Sequence, residues 1–167
     1  VDACLGIPGL PQSATGQTAL LTGINASNEL GRHLNGFPNQ KLRDVIQVHS
    51  LLKQLVNNGC TTAFFNAFRP PFFDFDPGQI IRHLSVTTVA NYFAGLPFFN
   101  VDDIKNEKAI YQDISNKSLI EKGFDVPLFS PAKAGKILAK ESLNYDFTLF
   151  EYFQTDRAGH SMNLERA

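Results

Sequence analysis

A helix-like stretch running straight into a short apolar strand occurs twice in this chain, and it constrains the fold more than any other feature. Apolar residues at Leu42, Val45, Ile46, Leu52, Leu55 and Val56 recur at three- and four-residue spacing, which puts them on one helical face. Gly59 follows as a stop. The spacing predicts one helix over about residues 40–57. Next comes CTTAFFNAF at 60–68, rich in β-branched and aromatic side chains and closed by Arg69-Pro70-Pro71; it predicts a buried strand. The same order returns near the C-terminus. Ser130 as N-cap and Pro131 at the first helical position predict a helix through about Glu141. YDFTLFEYF, from Tyr145 to Phe153, then reads as a second strand, apolar enough to be central. Helix followed by strand is the rhythm of an α/β fold.

Between these units, PPFFDFDPGQ and LPFFNVDDIKNEK are aromatic-rich and broken by Pro, Gly and charge. The expected organisation is therefore an α/β core over 1–69 and 129–167 with an irregular insertion or cap over 70–128, one structural domain overall. The cap should hold a helix near Leu84 to Ala94. At 167 residues and 43% hydrophobic, the chain is large enough for one sizeable core. Its 15 basic and 16 acidic residues are spread without blocks, so neither a nucleic-acid backbone nor an anionic membrane is implied as partner. No run approaches the roughly 18 to 20 apolar residues of a membrane span. Cys4 and Cys60 make neither a disulfide framework nor a CxxC pair, so a reducing cytoplasm is the expected compartment. Oligomeric state stays open.

Two segments carry chemistry. In PQSATGQTALLTG a Pro/Gly-rich loop meets a helix-compatible stretch, so Ser13 should stand at or just before a helix N-terminus. Free backbone N–H groups and the positive end of the helix dipole would favour an anion there. Serine is also a common N-cap, and Thr15 or Thr18 could serve equally. In QTDRAGHSMN, Asp156 and His160 stand four residues apart just beyond the second strand, where ligands gather in open α/β sheets. Carboxylate oxygen and imidazole nitrogen are natural zinc or manganese ligands, although a surface loop contains such a pair by chance.

SATGQTALLTG resembles the nucleophile segment of the alkaline phosphatase superfamily, and DRAGH resembles its D-x-x-G-H metal segment. In sulfatases a modified Cys stands a fixed distance before A-A-L-L-T-G, and counting back from Leu20-Leu21-Thr22-Gly23 sets Ser13 on that position. Ser13-Ala14-Thr15-Gly16-Gln17 is also similar to the Ser-x-x-Gly-His of cofactor-independent phosphoglycerate mutases. Serine points to phosphate rather than sulfate, and the sulfatase Arg is Gln17 here. GRHLNGFPN and SVTTVA resemble segments of a phosphomutase-like branch. The resemblance implies an alkaline-phosphatase-like open sheet flanked by helices, Ser13 as nucleophile, and Asp156 and His160 on one of two divalent metals (zinc or manganese, with magnesium a third candidate). Thr15, Gln17, Arg32 and His33 are its candidate substrate-binding residues, and the substrate is a small phosphorylated metabolite.

The implied reaction is metal-dependent transfer through a phosphoserine, as a phosphomutase or a phosphatase. A nucleotide-pyrophosphatase-like diesterase is the alternative, for which Thr is more usual than Ser13; a non-catalytic binding domain that keeps the fold is another. The family pattern asks for an Asp at the end of a strand ahead of the nucleophile and a later Asp-His pair with a further His. Asp2 sits in a loop sequence, and the chain opens on Val1 and CLGIPGLPQ. The expectation is an interior piece of a longer enzyme, with an incomplete metal site and little activity by itself. His49 reads as a packed or surface histidine, His83 beside Arg82 as a surface residue or part of a cap that grips substrate, and Asp102, Asp103 and Asp113 as surface acids as easily as ligands, outside the expected site. The FF pairs at 64–65, 72–73 and 98–99 read as core or cap packing.

Overall fold

The computed structural model describes residues 2–161. Val1 and residues 162–167, the ends of the first and third expected segments, lie outside the described residues. In chain order the elements are α1 (Ser13–Thr22), α2 (Ala26–Leu30), α3 (Gln40–His49), α4 (Leu51–Asn57), β1 (Thr62–Phe64), α5 (Pro70–Phe73), a 3₁₀ turn (Ile81–His83), α6 (Val86–Phe93), α7 (Val101–Lys105), α8 (Lys117–Ile120), α9 (Pro131–Ser142), β2 (Phe147–Leu149) and α10 (Phe153–His160). The fold is α/β with a small two-stranded parallel sheet. The chain divides into two compact units, one of residues 1–60 and 73–97, the other of 61–72 and 98–167. The stretch 70–128, expected as one cap, is thus shared between them.

The first unit is helical. α1 packs on α2, α3 and α6, and α3 packs on α4 and α6. Ile46, Leu52, Val86, Val89 and Ala90 are fully buried in its interior, and Leu42 packs with Ala14 and Ala26. The helix expected near 84–94 is α6, started by Ser85, whose side chain accepts from the Thr88 N–H. The single helix expected over 40–57 is instead two. Ser50 leaves helical geometry at φ −60°, ψ 139°, closes α3 by donating its N–H to the Ile46 carbonyl, and caps α4 by accepting from the Lys53 N–H. A serine hydroxyl competes for backbone groups in this way. The apolar period crosses the break, since Ile46 and Leu52 are both buried, and so conceals it. Gly59 ends α4 as expected: at φ +80° it donates to Val56 while Cys60 donates to Leu55, the paired bonds of a Schellman stop.

In the second unit β1 is buried throughout and pairs in parallel with β2, Thr62 opposite Phe147 and Phe64 opposite Leu149. Beyond β1 the chain stays extended. Phe65 N–H donates to the Leu149 carbonyl, Ala67 N–H to Ile110 and Phe68 N–H to Phe99. The strand expected over Tyr145 to Phe153 is only three residues long and half-buried, and among the described residues β1 is its one strand partner. It is an edge, not a centre. Tyr145 packs its ring edge-on against Phe65, and Phe153 already belongs to α10, so apolar character at both ends serves packing rather than pairing. Ile104, Ile110, Tyr111, Leu119, Phe129 and Ile137 form the core of this unit. α9 starts on Ser130 and Pro131 as expected. Among the described residues no helix is long and apolar enough to cross a membrane.

Candidate functional site

Ser13 is the first residue of α1, and Gln12 before it is extended, at φ −130°, ψ 155°, with no side-chain cap. The Ser13 hydroxyl is therefore not spent on capping. It donates to Asn35 Oδ1 at 3.4 Å, a long and hence weak bond, at the positive end of a ten-residue helix. The backbone groups around it are less available than the sequence implied. Ala14 and Thr15 N–H both donate to the Leu34 carbonyl, at 3.0 and 3.3 Å, and Gly16 N–H to Gln12 at 2.8 Å. The segment after α2 folds back and caps α1 with a carbonyl.

That segment explains the neighbouring candidates. Thr15 is fully buried; its hydroxyl donates to the Gln12 carbonyl and accepts from the Leu34 N–H, both at 3.3 Å, so it pins the same junction. His33 Nε2 lies 3.0 Å from the Ile7 carbonyl, fastening the N-terminal loop. Arg32 is exposed, and its N–H donates to the Ser27 carbonyl at the end of α2. Gln17 is one turn along α1 from Ser13, on the same face. The first unit thus brings Ser13 and Thr15 together with the 32–35 segment, around the start of one helix.

Asp156 and His160 belong to the second unit. They were expected in a tight turn beyond the strand, and they lie instead on α10. Spacing of four equals one helical turn, so their side chains stack on one face, His160 Nε2 lying 3.6 Å from Asp156 Oδ1. Gly159, expected to let a turn close, is inside this helix, and a Cβ there would meet nothing within 4 Å. Two ligands of a tetrahedral zinc with bonds of ~2.0–2.1 Å stand roughly 3.3 Å apart, so the observed separation fits two positions of such a centre. Among the described residues no group of three or more His, Cys, Asp or Glu is drawn together. The pair also has a structural reason to exist, with the acid in the first turn and the base in the last, the arrangement the helix dipole favours.

Three polar features of the second unit escaped the sequence. Asn66 donates from Nδ2 to the Glu151 carbonyl and accepts at Oδ1 from the Glu151 N–H, both at 2.8 Å, extending the strand pairing with a side chain. A lone Asn inside an apolar run was the available signal. Asp146 accepts from the N–H and the hydroxyl of Thr61, both at 2.8 Å, and these bonds hold its carboxyl below the usual aspartate range. Tyr111 is buried; burial raises its phenol above the usual value, the charge of Asp113 adds to the rise, and the charges of Arg69 and Arg157 oppose it. Asp113 is buried and accepts from the Asn116 and Ser118 N–H groups at 2.8 Å. Asp103 completes a capping box with Asn100 on α7. His83 meets the Phe37 ring edge-on at 6.3 Å, and His49 is exposed at the end of α3. No protein-family model, no curated protein and no solved structure matches the chain.

Proposed function

We propose that this chain is part of a phosphoryl-transfer enzyme of the alkaline phosphatase kind, a phosphomutase or phosphatase acting on a small phosphorylated metabolite in a reducing compartment. The observation that carries the reading is Ser13, whose hydroxyl stands at the first position of α1 with one long hydrogen bond to Asn35, inside a segment that resembles a nucleophile loop. Ser13 Oγ forms a bond to phosphorus as the ester P–O bond breaks. The leaving alkoxide takes up a proton, and the serine proton passes to solvent or a base. Water then releases phosphate, or a second hydroxyl of the substrate accepts the phosphoryl group. Asp156 and His160 would hold one divalent metal with ligands from elsewhere, and such a metal would supply charge neutralisation.

The test uses the full-length protein with Mn²⁺ or Zn²⁺ and a panel of phosphomonoesters and diesters. Ser13→Ala should lower turnover by on the order of 10³ or more, and mass spectrometry should find phosphoserine at Ser13. Full activity in the alanine variant sinks the assignment. The Leu34 carbonyl occupies two N–H groups at the helix start and so weighs against anion stabilisation there, which favours a second reading, a non-catalytic binding domain that keeps the fold. Saturable binding with no turnover under every metal would establish it instead.

A further inference from the structure

Asn-Gly occurs twice in this chain, at Asn35-Gly36 and Asn58-Gly59, and the fold treats the two pairs differently. Glycine after asparagine leaves the next backbone nitrogen unshielded by any side chain. That nitrogen can attack the asparagine amide carbon, Cγ, and close a five-membered imide. Both pairs are exposed, so access to water does not separate them. Gly59 N–H donates to the Val56 carbonyl at 3.0 Å, and Asn58 Nδ2 donates to the Gln54 carbonyl at 2.8 Å. The attacking nitrogen and the leaving group are therefore both held by carbonyls of α4.

At Asn35 neither group is held elsewhere. Gly36 N–H donates to Asn35 Oδ1 itself, at 2.7 Å. Since a C=O bond is about 1.2 Å long, the nitrogen lies within roughly 3.9 Å of Cγ, close to the separation from which bonds form. Among the described residues Asn35 Nδ2 makes no hydrogen bond. Asn35 stands in the connection between α2 and α3, outside any helix or strand. Its Oδ1 also accepts from the Ser13 hydroxyl at 3.4 Å, which sets the pair beside the start of α1.

We propose that Asn35 is a site of spontaneous deamidation and that the modification changes the surroundings of the Ser13 hydroxyl. A solvent base removes the Gly36 N–H proton. The nitrogen then bonds to Cγ, the Cγ–Nδ2 bond breaks, and Nδ2 takes up a proton and leaves as ammonia. Water opens the imide at either carbonyl, giving aspartate or, with one more methylene in the backbone, isoaspartate. Either product adds a carboxylate to the residue whose neutral amide Ser13 now meets. Ser13 itself does not react, so the step stands apart from the phosphoryl-transfer reading.

The test ages the full-length protein at slightly alkaline pH, folded and unfolded in urea, and follows the peptides bearing Asn35 and Asn58 by mass spectrometry. Dividing each folded rate by the rate of the same site in urea removes the effect of neighbouring sequence. That ratio should be about fivefold or more higher at Asn35 than at Asn58, whose two hydrogen bonds must break first. Isoaspartate should accompany aspartate at position 35, because only the imide route makes it. Equal ratios at the two sites, a higher ratio at Asn58, or aspartate without isoaspartate overturns the proposal.

Discussion

The two units use the same small polar residues for different ends. In the first, Asn25, Asn39, Ser50 and Ser85 each accept a backbone N–H three residues ahead, fixing where helices start. Apolar faces then hold the unit, with Leu42, Ile46, Leu52, Val86 and Val89 fully buried. In the second, Thr61 with Asp146 and Asn66 with Glu151 join residues 85 apart in sequence, one clamp at each end of a strand pair only three residues long. A pair of strands that short is marginal by itself. Local caps start helices in both units, as Asn100 and Ser130 do in the second, and the second unit adds distant clamps across its strand pair.

The comparison breaks most easily at Ile46. Ile46→Ala removes a fully buried side chain at the packing of α3 on α6, and should cost about 2–5 kcal/mol in denaturant unfolding. A cost under about 1 kcal/mol would show that apolar packing does not hold the helical unit. Asn66→Ala tests the other side. It leaves the N–H and C=O of Glu151 without the partners they now have, and should cost about 2 kcal/mol, with faster amide exchange at Glu151 and Phe65. Asn66→Asp keeps one acceptor but sets an ionised oxygen against the Glu151 carbonyl in a buried site, and should cost more still.

What was legible in the sequence follows the same division. α6 was placed near 84–94 without its Ser85 cap. The starts of α1 and α9 were readable because caps and loop ends act over a few residues: Ser130 announces its helix, and Ser13 stands where its loop ends. The β2 edge was not, because pairing with Thr62 to Phe64 depends on residues far along the chain. Nor was the Leu34 carbonyl over Ala14 and Thr15, which makes the start of α1 less open than a bare helix end. Asp156 and His160 show a subtler limit. Spacing of four fits a helical turn as well as a metal-binding loop, and only backbone geometry separates them.

Ser50 sharpens the comparison from the local side. Ser50→Ala removes the hydroxyl that accepts from Lys53 and should cost about 1 kcal/mol, with exchange rising at Lys53 and Gln54. Unchanged stability with added helical circular dichroism would mean that α3 and α4 have fused, and that one side chain was enough to keep them apart.

The smallest effect belongs to Asp146, because its carboxylate is exposed and solvent screens what it gains. The bonds from Thr61 lower its pKa in the folded protein below the ordinary 3.8. The unfolded chain therefore binds the proton more readily, so the contribution is fully present above the ordinary value and is lost as pH falls through the folded one. In Asp146→Asn the side chain keeps one acceptor oxygen and loses the charge. The native protein should then lose stability relative to this variant only as pH falls below about 4, with the difference between them flat from pH 5 to 8. A difference that instead grew toward alkaline pH would assign the effect to another group and leave the Thr61 end of the strand pair without its charged clamp.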